Sequence, residues 1–221
     1  MKIRTAEEFI DFMDRETSWR KRELAVLNSE INKTHYSTYT SEALLRSAVM
    51  LLYAHWEGYI KNSSIAYLDH VLIQKFEYKK LALHFRAIGI KHDLNEMYNT
   101  NISKMGKLMD ILEFLLNKQE EKCRFTPEKI IDTKSNLNSK VFKEIVITLG
   151  LDYKNYETKE NLIDQKLLNY RNNIAHGKEL VVNGNDYQEL FKEVIVLIDT
   201  FKNDLENSAI LKSYLLKNHA A

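Results

Sequence analysis

One proline, Pro127, and six glycines in 221 residues leave this chain few places to break an element or turn tightly. Such a composition favours long helices over many short strands, because Gly and Pro are the residues that cost a helix interior most, about 1 and 3 kcal/mol. The expected fold class is all-α. The length suits a single domain, residues 1–221, with a real hydrophobic core. With 32 Lys plus Arg against 31 Asp plus Glu, the formal net charge is +1, which excludes the global field of a nonspecific nucleic-acid binder. Any site for a polyanion must therefore be local.

Helical periodicity runs through most of the chain. Thr5-Ala6-Glu7-Glu8 has capping-box spacing, and Phe9, Phe12, Met13, Trp19, Leu24, Leu27 and Ile31 follow mostly at steps of three and four. Within this first helix, Arg20-Lys21-Arg22 is expected to be a solvated face. The polar stretch Thr34 to Ser41 offers Thr40 or Ser41 as the cap of a second helix reaching about Lys75. Further helices are expected over Phe76 to Ile88, ended by Gly89, and over Ile102 to Lys118, with Met105, Leu108, Met109 and Leu112 inward, joined by Leu115 or Leu116. Periodicity fades over about residues 120–160, a loop-rich insertion that holds a short helix capped by Ser139 and stopped by Gly150. The stripe Ile163, Leu167, Tyr170 and Ile174 marks a helix from Glu160 to Ala175. After an Asn183-Gly184 turn, a last helix from Asp186 to Leu216 points Leu190, Val194, Leu197, Ile198, Phe201 and Leu205 inward.

Some function classes drop out. A lone cysteine, Cys123, excludes a disulfide framework or a cysteine-rich metal site and fits a reducing compartment. The acidic turn at Glu7 and Glu8 replaces the apolar core of a signal peptide, and the longest apolar run, Ala48 to Ala54, is too short to span a bilayer. The expectation is a cytoplasmic protein with no membrane partner. His55, His70, His84 and His92 share no ligand spacing with Cys or carboxylates, and no phosphate-cradling glycine loop or G-x-S-x-G elbow is present, so no metal or cofactor is implied.

Two places carry candidate chemistry. In the second helix, Glu57 lies in the apolar run around His55-Trp56-Glu57, where a carboxylate needs a cation or hydrogen bonds to replace water. Glu57 is either a site residue or the helical i,i+4 partner of Lys61, and His55 is expected to be a satisfied core histidine. The second place is Asn169-Tyr170-Arg171-Asn172-Asn173-Ile174-Ala175-His176-Gly177, where five residues capable of acid-base or hydrogen-bonding work fall within eight positions. On an ideal helix Arg171 and His176 stand about 140° apart, so they can converge only if the helix ends or kinks between them, or if a second chain supplies the facing pair. Gly177 is where a left-handed terminus is cheapest.

Arg171 to Gly177 resembles the signature of the HEPN superfamily, R-x4-6-H with a polar residue directly after the arginine. The resemblance extends to the His55-Trp56-Glu57 helix and to the Ser135-Asn136-Leu137 loop before Gly150-Leu151-Asp152, which look like a stand-alone prokaryotic branch of HEPN-like nucleases. It covers about residues 41–202 and implies an α-helical bundle that pairs as a homodimer, bringing two motifs into one cleft. By the same resemblance Arg171 would contact the scissile phosphate, His176 would transfer protons and Asn172 would orient them, with Glu57 a further candidate. The implied activity is metal-independent cleavage of RNA by attack of the ribose 2′-OH, in a toxin or antiphage-defence effector with an antitoxin or defence partner protein. The alternative is a non-catalytic HEPN-like module that binds RNA, a nucleotide or a partner protein.

Overall fold

The computed structural model describes residues 3–33, 38–97 and 105–217. They are helical, with no strand among them beyond two isolated bridges, Glu77 to Lys122 and Leu81 to Leu215. Three long helices, α1 (Ala6–Ile31), α2 (Thr38–Ile73) and α9 (Gly184–Ile210), pack pairwise as the frame. Shorter elements close around it: α3 (Leu83–Met97), α4 (Met105–Lys118), α5 (Pro127–Ile130), α6 (Ser139–Thr148), α7 (Lys154–Glu157) and α8 (Asn169–Ala175). A π-helical segment, Leu162–Leu168, runs directly into α8.

The helix starts obey local chemistry. Thr5 and Glu8 form the expected reciprocal capping box on α1. Asn183 caps α9, its side chain accepting from the Asp186 amide at 2.8 Å. All six inward residues expected on α9 are buried. With Phe9, Met13 and Leu24 of α1 and Leu52, Trp56 and Tyr59 of α2 they form one hydrophobic cluster, each large side chain contributing about 1.5–3 kcal/mol by leaving water.

Four expectations are corrected. On α1 the buried line is Phe9, Met13, Thr17, Arg20 and Leu24, so Trp19 stays 46% exposed and Arg20 goes inside. Arg20 is tolerated there because Glu16 meets its charge at 2.9 Å and the Trp19 ring lies 4.4 Å from its guanidinium carbon. Gly89 does not end a helix; it lies within α3, where an added Cβ would stand 2.2 Å from the Tyr78 ring. On α4 the stripe Met105, Met109, Leu112 and Leu116 faces outward, 52–73% exposed. Finally, Asn138 and not Ser139 caps α6, its side chain accepting from the Val141 amide at 2.8 Å, while Ser139 Oγ donates to Asp164 at 2.6 Å. The expected polar residues 34–37, helix start at Ile102 and Leu108 side chain lie outside what is described.

Candidate functional site

Where α8 ends, the backbone makes a Schellman turn. The Gly177 amide donates to Ile174 and the Lys178 amide to Asn173, both at 3.0 Å, with Gly177 at φ +69°. The helix therefore breaks directly after Ala175, and His176 sits at the cap with φ −87° and ψ 11°, its side chain exposed. The chain beyond is fastened to α2 by Arg46, which donates to the carbonyls of Lys178 at 3.0 Å and Leu180 at 2.9 Å. Upstream, Ile163 and Leu167 are buried as their spacing predicts, and Leu168 joins them because the π turn widens the helix there. Tyr170 and Ile174 pack half-buried against the same core. Tyr170 also donates to Asp186 at 3.2 Å, and Lys166 of the π-helical segment pairs with Glu189 at 2.7 Å, so α8 and the segment before it are tied to the start of α9.

Arg171 is half-buried and held on three sides. Its guanidinium donates to Asn172 Oδ1 at 2.8 Å and to the Ser135 carbonyl at 3.3 Å, and its central carbon lies 4.9 Å from the centroid of the Tyr53 ring. A cation over an aromatic face at this range is worth roughly 0.5–2 kcal/mol, depending on how dry the contact is. The Ser135 carbonyl is presented by an unusual loop in which Lys134 and Ser135 both adopt left-handed φ, +57° and +53°. Neither is glycine, and each such residue costs roughly 1–2 kcal/mol, which the surroundings must offset. The Tyr53 hydroxyl helps, accepting from the Leu137 amide at 2.6 Å. Lys134 bonds hold the Asp132 carboxyl below the usual carboxylate range, with Lys61 adding a smaller pull.

Glu57 is half-buried beside Tyr53, whose phenol is pushed up to about 12 by burial, with the nearby Glu57 charge adding to the effect. Among the described residues no ion pair joins Glu57 to Lys61, and the Glu57 charge bears on Tyr53. His55 faces the opposite way. It is buried, with Nε2 2.7 Å from Glu23 Oε2 and its ring edge-on to Trp19, a core histidine whose pKa burial lowers against the pull of Glu23. Asn173 folds back onto Asn169, donating to its carbonyl and its side-chain oxygen at 2.9 Å each. Thus Arg171, Asn172 and Glu57 gather around Tyr53 and the 132–138 loop, whereas no hydrogen bond joins Arg171 to His176 within the described chain.

Sequence reasoning passed over Arg46 and Tyr53. Yet Arg46, Tyr53 and Glu57 stand at i, i+7 and i+11, within about 40° on one face of α2, and that polar line in an apolar helix was the signal available. Among the described residues no group of three or more His, Cys, Asp or Glu is placed to hold a metal ion, and no helix is long and apolar enough to cross a membrane.

The described residues form a helical fold without strands, which is the fold of a HEPN domain. Residues 15–207 match the family model described as RiboL-PSP-HEPN, and the chain belongs to that family. The match takes in most of α1 as well as the motif, a wider span than the 41–202 that the motifs alone suggest. Membership suggests a nuclease or RNA-related role. No curated protein and no solved structure is significantly similar to the chain.

Proposed function

We propose that the chain, a single unit over residues 1–221, is a metal-independent endoribonuclease whose active site is completed by a second copy. One observation carries this reading: Arg171 is held in a fixed pose by Asn172, Ser135 and Tyr53, while His176, five residues on, is turned out to solvent by the helix break at Gly177. A guanidinium fork suits the geometry of a phosphoryl oxygen, and an outward imidazole suits proton transfer to a substrate lying on the surface. Two-fold pairing brings two such halves together.

In the reaction, a neutral His176 imidazole of one copy takes the proton from a ribose 2′-OH. The 2′ oxygen forms its bond to the adjacent phosphorus, and the bond from phosphorus to the 5′ oxygen breaks. The charged His176 imidazole of the other copy gives that leaving oxygen a proton. Charge on one ring disfavours charge on its neighbour, so a facing pair divides naturally into base and acid. Arg171 stabilises the charge that develops on the non-bridging oxygens, and Asn172 keeps the guanidinium aimed. The products are a 2′,3′-cyclic phosphate and a 5′-OH, and DNA, lacking the nucleophile, is spared. The biological setting we propose is a toxin or antiphage-defence effector restrained by an antitoxin or defence partner.

Mixing wild-type chains with His176→Ala chains tests the composite site. If both histidines serve one cleft, activity follows the square of the wild-type fraction. A linear dependence would mean that each chain works alone, and that the shared-site reading is wrong. A second reading, an RNA- or partner-binding module without chemistry, is favoured by the net charge of +1 and by the pairing of Lys134 with Asp132 at 2.6 Å beside the site. RNA retained uncleaved by wild-type dimer would select it.

A further inference from the structure

The two restraints on Arg171 that come from outside its own helix meet in one side chain. The Tyr53 ring lies under the guanidinium, and the Tyr53 hydroxyl takes the Leu137 amide at 2.6 Å, pinning the loop whose Ser135 carbonyl accepts from the same guanidinium at 3.3 Å. Tyr53 is only 2% exposed, so it cannot reach an RNA strand itself. Glu57 is half-buried beside it on the same face of α2.

We propose that Tyr53 is the positioning residue of this site, setting the pose of Arg171 through its ring and through the 132–138 loop. The chain of contacts is physical at each step. The Tyr53 oxygen accepts the Leu137 amide in a hydrogen bond. That bond holds Lys134 and Ser135 in their left-handed conformations, against a backbone preference that would otherwise let the Ser135 carbonyl swing away. Two donor directions of Arg171 are thereby spent on protein oxygens, and the remaining N–H groups of the fork are free of conformational choice when a phosphate arrives. As a role in catalysis this rests on the ribonuclease reading above; as a statement about Arg171 it has its own readout.

Tyr53→Phe keeps the ring and removes the hydroxyl. The expected result is a fall of about tenfold in kcat with KM within about twofold, the size of one lost net hydrogen bond. Independently of turnover, hydrogen exchange at the Leu137 amide should accelerate in Tyr53→Phe, and the Arg171 Nε–Hε signal in an NMR spectrum should lose its discrete position. A Tyr53→Phe protein that cleaves at the wild-type rate overturns the proposal. If wild type cleaves no RNA, the ribonuclease reading fails by itself. The positioning claim is then decided by the Arg171 signal, and an identical signal in Tyr53→Phe refutes it.

Discussion

Two glycines with nearly the same left-handed backbone but different surroundings allow the steric and conformational costs of a side chain to be separated. Gly150, which ends α6, has φ +73°, and Gly177, which ends α8, has φ +69°. Both close Schellman turns, with the Leu151 amide donating to Val146 and the Lys178 amide to Asn173 at 3.0 Å each. A Cβ on Gly177 meets nothing within 4 Å, whereas one on Gly150 would stand 2.2 Å from Cε1 and Nε2 of His84. Gly177→Ala should therefore cost only left-handed strain, about 1 kcal/mol, or a Tm fall of about 2–4 °C for a chain of this size. Gly150→Ala adds an overlap that His84 cannot easily relieve, because its ring packs on Phe85 with centroids 4.4 Å apart. Overpacking of this kind costs about 1–3 kcal/mol, so the total should be near 3 kcal/mol and the Tm fall about 6–12 °C. Adding His84→Ala to Gly150→Ala should recover at least 1 kcal/mol relative to the sum of the single losses. Thermal unfolding followed by circular dichroism reads wild type, the three single variants and the double variant. Equal Tm losses for Gly150→Ala and Gly177→Ala, or strictly additive effects of Gly150→Ala and His84→Ala, would refute the steric argument.

Other outcomes follow from the same contacts. Burial lowers the His84 pKa to about 4 and also depresses those of His55 and His70. The unfolded chain then binds more protons than the folded one, so stability is full above about pH 6.5 and declines as pH falls toward 4. Tm measured across that window should drop for wild type and drop less for His84→Gln. Asn138→Ala removes the α6 cap and should cost about 1 kcal/mol, or 2–4 °C, whereas Asn138→Asp should retain most of the stability. Arg46→Ala releases the carbonyls of Lys178 and Leu180, and amide exchange over residues 178–182 should accelerate without a comparable change in α1.

Long helices were readable because periodicity and caps agree locally, as in the Thr5–Glu8 box and the six core residues of α9. What failed was register where a tertiary partner overrides hydropathy. Arg20 goes inside because Glu16 lies one turn away and Trp19 offers its ring, neither of which a count of apolar residues weighs. Gly89 reads as a stop and is in fact a close approach to Tyr78, a contact across elements. The α4 stripe has the right period for a core, but period alone does not say which side carries a neighbour. At the site, the proximity of Arg171 and Asn172 follows from adjacency, whereas the Ser135 carbonyl, 36 residues away, depends on loop geometry that no local pattern encodes.

The central claim is that His176 of each copy transfers the protons of RNA cleavage. Its most direct test is end-group analysis of RNA incubated in EDTA with wild-type dimer and with His176→Ala. Fragments ending in 2′,3′-cyclic phosphate and 5′-OH with wild type, and intact RNA with His176→Ala, are the predicted result. RNA left whole by wild type, 5′-phosphate ends, or undiminished cleavage by His176→Ala would contradict it.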